Sequence, residues 1–206
     1  MNKNIISALL FACFTIVQSN ISAQDNNEAR TLFGSGNPFR MENLGFFVSP
    51  SFSVSQMDQA TASLFNLRGG LNYNDRFTLG AYFNTSMNQI IPDSETIPNV
   101  YMDYWTVGGF VEFTLFPKNV FHVTFPLYVG YGEVEMDYVY GGVDLGEANF
   151  FQIEPSVLLE LNLHRHVRFN IGVGYRVVGQ MTYRNFDQSN ISGLTGHIGL
   201  KFGLFR

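Results

Sequence analysis

Charge is scarce in this chain. Only 14% of its 206 residues are Asp, Glu, Lys or Arg, against about 25% in an ordinary soluble domain, so the usual charged surface is excluded. Cysteine is rarer still. Cys13 is the only one, and it lies in an N-terminal segment that reads as a cleaved signal, which leaves no disulfide or thiolate chemistry to the mature chain. Beyond that segment no apolar run approaches the roughly 20 residues of a membrane-crossing helix. The net charge of −5 has the wrong sign for a nucleic-acid binder. Neither a G-x-S-x-G motif nor the D-x-D-x-D-G spacing of a calcium loop occurs. Apolar and aromatic residues, by contrast, are plentiful: 46% of the chain is hydrophobic, with 21 Phe and 10 Tyr. A chain this apolar without long apolar runs distributes its hydrophobic residues at short period.

Residues 1–23 have the form of a secretory signal, with Lys3 at the positive end, an apolar core from Ile5 to Val17, and Ile21-Ser22-Ala23 as the cleavage site. The core is too short for a membrane anchor. Leu10-Phe11-Ala12-Cys13 resembles a lipoprotein box only faintly, because Phe11 fits it poorly and the apolar core continues past Cys13. Cleavage removes Lys3 and leaves 11 basic against 17 acidic residues, a net charge of −6. Residues 24–43 are polar and Asn-rich, with Gly34-Ser35-Gly36 and Pro38, and read as a flexible periplasmic lead-in. Residues 44–206 form the structured domain.

That domain alternates. Phe151, Ile153, Pro155, Val157, Leu159, Leu161 and Leu163 are apolar, with Gln152, Glu154, Ser156, Glu160 and Asn162 between them. After His164-Arg165-His166 the pattern resumes, Val167, Phe169, Ile171, Val173, Tyr175 and Val177 against Arg168, Asn170 and Arg176. Period-2 alternation marks strands with one apolar and one polar face. Runs of about 10–12 residues are the length a tilted strand needs to cross a bilayer. Six further segments behave alike, beginning near Phe46, Phe65, Phe77, Trp105, Phe121 and Leu194. The expected fold is therefore all-β: an eight-stranded antiparallel transmembrane up-and-down barrel, apolar residues facing lipid and charges facing inward.

Short turns at Asn74, Lys118 and Arg165 alternate with longer connections at 87–102, 133–147 and 179–192. With both termini periplasmic, the short turns fall inside and the long loops outside. The first connection is expected over 56–61. Two interfacial aromatic girdles follow: Phe46, Tyr73, Phe77, Phe113, Phe121, Phe169 and Phe202 toward the periplasm, and Trp105, Tyr131, Phe151 and Tyr175 toward the exterior. Pro50, Pro126 and Pro155 fall inside strands of a sheet without edges, so each is expected to sit at a bulge or kink.

Strand patterns such as Ile153-Glu154-Pro155-Ser156-Val157-Leu158-Leu159-Glu160-Leu161-Asn162-Leu163, the signal segment, and the closing Gly199-Leu200-Lys201-Phe202-Gly203-Leu204-Phe205 resemble the small OmpA/OmpX-type outer-membrane β-barrel proteins of Gram-negative bacteria. The resemblance spans about 44–206. It implies integral residence in the bacterial outer membrane, among outer-membrane lipid and lipopolysaccharide. It also implies a monomer, and insertion by the barrel-assembly machinery, which commonly reads a terminal aromatic residue where this chain ends Phe205-Arg206. The peptidoglycan-binding domain of longer OmpA-type proteins is expected to be absent.

Inward-facing charges are Arg68, Glu112, Glu154, Glu160, Arg168, Arg176 and Lys201, with His122 and His197. About His164 as hairpin centre, Glu160 faces Arg168. Eight-stranded barrels are just wide enough to be filled by side chains, so these groups read first as a structural charge plug, which must be paired to offset its desolvation; a gated ion path is the alternative. A lipid-modifying enzyme (deacylase or acyltransferase) would draw on His197, Ser192 and Asp187, or on His122, Glu112 and Thr124; the plainer reading makes these lumen or loop residues with no catalytic role. The acidic stretch Glu133, Glu135, Asp137, Asp144 and Glu147 reads as a solvated loop, with divalent-cation binding as the sharper alternative. Tyr138, Tyr140, Tyr183 and Phe186 add aromatic loop surface suited to partner capture. No cofactor is implied. The functional expectation is a non-enzymatic outer-membrane barrel that is structural or binds a ligand or partner through its outer loops.

Overall fold

The computed structural model describes residues 43–139, 144–183 and 186–205. The predicted signal segment, the lead-in as far as residue 42, and Tyr140, Arg184 and Arg206 lie outside the described residues. The alternating segments form β1 (Leu44–Met57), β2 (Ala60–Tyr73), β3 (Phe77–Ser86), β4 (Val100–Leu115), β5 (Phe121–Tyr138), β6 (Asp144–His164), β7 (Val167–Val178) and β10 (Gly193–Leu204). The connection before β10, expected as loop, contains a two-residue pair, β8 (Thr182–Tyr183) and β9 (Phe186–Asp187), and one helical turn, α1 (Gln188–Ile191). The eight long strands close into an antiparallel barrel, as the alternation predicts, with β10 returning to β1 so that Phe46 faces Leu204 and Ser55 faces Thr195.

Burial is inside-out through most of the wall. In β1, Ser49, Ser51, Ser53 and Ser55 are at most 5% exposed, while Phe52 and Val54 are 49% and 53% exposed. A soluble protein does the reverse. At the long-loop end the polarity flips while the strand parity continues. Inward positions there are Met57, Leu64, Met102, Val134 and Met136, all buried, and the outward ones include Asp103, Glu133, Glu135 and Asp137. This corrects the expected acidic loop. Most of 133–147 is a continuation of β5 and β6, paired Glu133–Asn149 and Glu135–Glu147, with a register shift between Glu135 and Asp137. Outward carboxylates need water and inward methionines need a core, so the same alternation holds above the apolar belt with its faces exchanged.

The three prolines do not break register. β1–β10 pairing lapses beside Pro50 between Val48–Phe202 and Ser51–Gly199, yet both pairs share one offset. Pro126 and Pro155 flank a similar lapse between Thr124–Leu158 and Leu127–Pro155, and Pro155 lies in another between Ile153–Val177 and Ser156–Gly174. Each proline lacks a donor toward one neighbour only, so the opposite ladder carries the strand through without the expected bulge. The first connection is shorter than expected, a two-residue turn at Asp58 and Gln59 with φ of 47° and 63°, the left-handed pair that matches hairpin twist.

One register row explains two glycines. Tyr82 on β3 pairs with Gly108, Gly108 with Gly130, and Gly130 with Gln152. The Tyr82 ring lies over the two glycines, and its hydroxyl accepts from Gln152 Nε2 at 3.2 Å. A Cβ on Gly130 would stand 2.2 Å from the Tyr82 hydroxyl. Gly130→Val is therefore expected to lower barrel stability by about 1–3 kcal/mol, measured as a lower urea midpoint in detergent. Gly109→Ala, where the nearest atom to a new Cβ is 3.5 Å away, should leave that midpoint unchanged.

Candidate functional site

Alternation drives every inward polar side chain of the mid-wall into a lumen without room for bulk water, so each ion there needs a partner on another strand. Lys201 on β10 reaches across to Glu112 on β4, Nζ to Oε1 at 2.8 Å, and also to Glu160 on β6. Glu112 is shared with Arg68 on β2 at 3.5 Å, and Arg68 Nη1 donates to the Tyr128 hydroxyl at 2.7 Å. Glu160 is bonded to His122 Nε2 at 3.0 Å. Nearer the long loops, Glu154 holds His197 Nε2 at 2.8 Å and Arg176 Nε at 3.5 Å. At the short-turn end Arg168 Nη2 meets Asp75 Oδ2 at 3.1 Å, and its guanidinium lies 3.7 Å from the Phe205 ring centroid. The nine lumen residues expected from the sequence thus fall into a cluster of five, a cluster of three, and Arg168 alone, paired with Asp75.

The expected Glu160–Arg168 contact is corrected. Glu160 pairs with Asn170 and Asn162 with Arg168, while His164 pairs with Val167, a shift that absorbs Leu163. The hairpin therefore turns about Arg165 rather than His164, which moves every partner two residues along the same face. Arg168 is left to Asp75, which follows Asn74 in the β2–β3 turn. A signal for it existed: four inward Lys and Arg against three inward Glu leaves one base unmatched.

Three further polar residues were missed. Tyr104 donates to Gln152 Oε1 at 2.6 Å, Gln152 continues to Tyr82, and the Arg176 guanidinium stands 4.9 Å from the Tyr104 ring centroid. A cavity of about 20 Å³ between Arg68, Tyr128, Glu154, Asn170 and His197 has room for about one water.

Above it sits an apolar cluster of Met57, Leu64, Ile90, Met102, Met136, Ile191 and their neighbours, with Tyr104 stacked on Phe150 at 5.7 Å. Ile90 and Ile191 come from connections, and Asp58 clasps those connections together. Its carboxylate accepts from Ser94 N at 2.7 Å, Ser94 Oγ at 2.9 Å and Asn190 Nδ2 at 2.6 Å, and its backbone N–H donates to the Asn190 carbonyl at 2.6 Å. Asp187 caps α1, where the Ser189 hydroxyl and N–H hold its carboxyl below the usual carboxylate range. Ser192 Oγ accepts from Val178 N and donates to the Gln188 carbonyl. Ser192, Asp187 and His197 therefore have separate partners, and His122 bonds Glu160 rather than Glu112.

The aromatic residues assigned to girdles occupy the outer surface. Phe46, Phe77, Phe121, Tyr131, Phe151 and Phe202 are exposed, and Tyr73, Trp105, Phe113, Phe169 and Tyr175 half-buried. Phe77 packs on Phe113 at 5.1 Å, and Tyr131 lies between Trp105 at 6.5 Å and Phe151 at 5.6 Å. Among the described residues no group of three or more His, Cys, Asp or Glu is arranged to hold a metal.

No family model matches the chain, and no curated protein matches it significantly. Solved structures do. Neisserial surface protein A (NspA) aligns with a TM-score of 0.56 at 10% identity, over 80% of this chain and 97% of that one. OprG of Pseudomonas aeruginosa aligns at 0.52 and 11% identity, over 79% and 97%. A major outer membrane protein from Thermus thermophilus aligns at 0.52 and 8% identity, over 77% and 99%. The chain has the fold of the small outer-membrane β-barrels. Such a barrel, belted with exposed apolar side chains, is built to sit in a membrane.

Two outcomes test the internal architecture of this outer-membrane barrel. Lys201→Met leaves Glu112 and Glu160 without their shared cation and is expected to cost about 3–5 kcal/mol, read from urea unfolding in detergent by the fluorescence of Trp105, the single tryptophan. Asp58→Ala strands three donors, at about 1–3 kcal/mol locally. Amide exchange at 93–94 and 188–191 should quicken while that of β5 and β6 mid-wall stays slow.

Proposed function

We propose that this is a non-enzymatic barrel, structural or ligand-presenting, with a blocked lumen and a stiffened long-loop end turned to the cell exterior. One observation carries the reading: thirteen buried apolar residues among those described close the barrel directly above the ion-paired lumen residues. A conducting path would have to cross both, and desolvating an ion over an apolar barrier is prohibitive without protein partners. The cap also ties the outer connections to the wall, which supports a rim that is pre-organised for binding rather than a mobile one. Its outward face on β4, β5 and β6 is acidic, with Asp103 opposite Glu135 and Glu135 opposite Glu147. In this reading the barrel is a monomer surrounded by outer-membrane lipid and lipopolysaccharide, inserted by the barrel-assembly machinery.

Reconstituted in planar bilayers, the protein is expected to be electrically silent; stepwise conductance would restore the channel reading. Expression of the wild type, or of a His122→Ala/His197→Ala variant, should leave the lipid A mass spectrum unchanged, whereas a wild-type-dependent change would restore the enzyme.

A further inference from the structure

The short-turn end carries a different chemistry from the acidic rim. The β2–β3 and β4–β5 turns flank an open recess of about 570 Å³ lined by Asn43, Asn74, Arg76, Phe116, Pro117, Lys118 and Asn119, within the usual size range of small-ligand sites. We propose that this recess binds the phosphate headgroup of a glycerophospholipid, with Arg76 and Lys118 on the phosphate and the neighbouring exposed apolar side chains against the acyl chains.

The walls are fixed by backbone hydrogen bonds rather than left to loop motion. Asn74 N–H donates to the Asn43 carbonyl at 3.0 Å, Thr114 N–H to the Arg76 carbonyl at 2.8 Å, and Asn119 N–H to the Phe116 carbonyl at 3.0 Å. Asn162 Nδ2 adds a bond to the Asn119 carbonyl at 2.9 Å. The second of these ties the β2–β3 turn to the end of β4, the strand that leads into the β4–β5 turn, so the two cations are presented from a common frame.

The charge of the recess is unbalanced. Arg76 and Lys118 are exposed, and among the described residues neither is ion-paired and no acidic residue lines the recess. The adjacent acid, Asp75, is committed to Arg168 at 3.1 Å and to Asn72 Nδ2 at 3.1 Å. A guanidinium and an ammonium facing one recess suit phosphate, which takes a forked donor and a point charge together.

The apolar surroundings select a lipid over a free anion. Phe116, Val120, Phe121 and Phe77 are 59–66% exposed at this end, beside the polar lining. Phe116 holds a left-handed backbone, φ 56°, a conformation unfavourable for a bulky residue, and its ring is exposed. Free phosphate makes no use of such a ring; acyl chains do. Long basic side chains at a lipid boundary carry their charge to the headgroup level, where the phosphate lies.

The test uses the full chain, purified and delipidated in detergent, titrated with palmitoyl-oleoyl-phosphatidylglycerol and followed by native mass spectrometry. A single lipid should be retained per barrel. Arg76→Gln/Lys118→Gln should weaken retention about tenfold, the loss of charged hydrogen bonds. Phe116→Gly, which keeps the left-handed backbone without strain, should also weaken it, while Arg165→Gln in the β6–β7 turn should not. Heat-modifiable gel migration verifies that each variant is folded; if the double variant is not, Lys118→Gln and Phe116→Gly decide. Equal retention by wild type and the folded recess variants would overturn the site. So would an equal loss in Arg165→Gln, which indicates a general basic rim. Displacement of the lipid by millimolar inorganic phosphate would reassign the recess to a free anion, and preferential retention of lipid A would reassign it to the other class of membrane phosphate.

Discussion

The ammonium of Lys201, held between Glu112 and Glu160, spans the lumen. It arrives from β10 and joins β4 and β6, strands that are not its neighbours in the ring. Hydrogen-bonded ladders join only adjacent strands and would tolerate other cross-sections; bonds across the lumen hold opposite walls at one separation. Arg68 and His122 extend the contact to β2 and β5, so five of the eight walls meet through one cation and two carboxylates. Every ion in this cluster is costly alone and tolerable only with its partners. The arrangement therefore selects one register and one cross-section out of those a closed sheet could adopt.

Below the apolar cap the barrel is an inverted protein, and within the cap it is an ordinary one. The strands cross from one regime to the other without a change of parity, because the environment on the outside changes from lipid to water while the pleat does not. That transition lengthens β5 and β6 beyond the apolar belt. It also converts what would be free loops into a braced rim, with Asp58 as the clasp. The two ends then differ in sign, acidic where the strands project and basic at the short turns.

Much of this was legible in the linear order of residues. Period-2 runs of sufficient length predict strand number, the lipid face and the inward charges, since a strand's side-chain direction depends only on parity. Phe52 and Val54 face outward and Ser53 inward for that reason alone. Partners were less legible. Glu160 and Arg168 are equally spaced about His164, yet the ladder is centred on Arg165, which leaves Glu160 to Lys201 on β10 and Arg168 to Asp75 in the β2–β3 turn. Asp75 and Asp58 looked like turn residues because their side chains leave the alternating pattern, and only the folded chain shows what they reach. The methionines at 57, 102 and 136 carried no mark of a cap, since an inward apolar residue in an outward-apolar protein reads as a break in pattern.

By itself, the sequence determined that this chain is an eight-stranded outer-membrane barrel with a polar interior. Those properties follow from local alternation, the lengths of the runs and the spacing of turns. Tertiary structure decided which charges pair, where the apolar cluster sits and which turns form the basic recess. These depend on the stagger of non-neighbouring strands around a closed ring, a quantity no single stretch of sequence contains. Pro155 marks the boundary between the two: its residue type predicts a lost hydrogen bond, and only the opposite ladder, Leu127 with Pro155, explains why the register survives it.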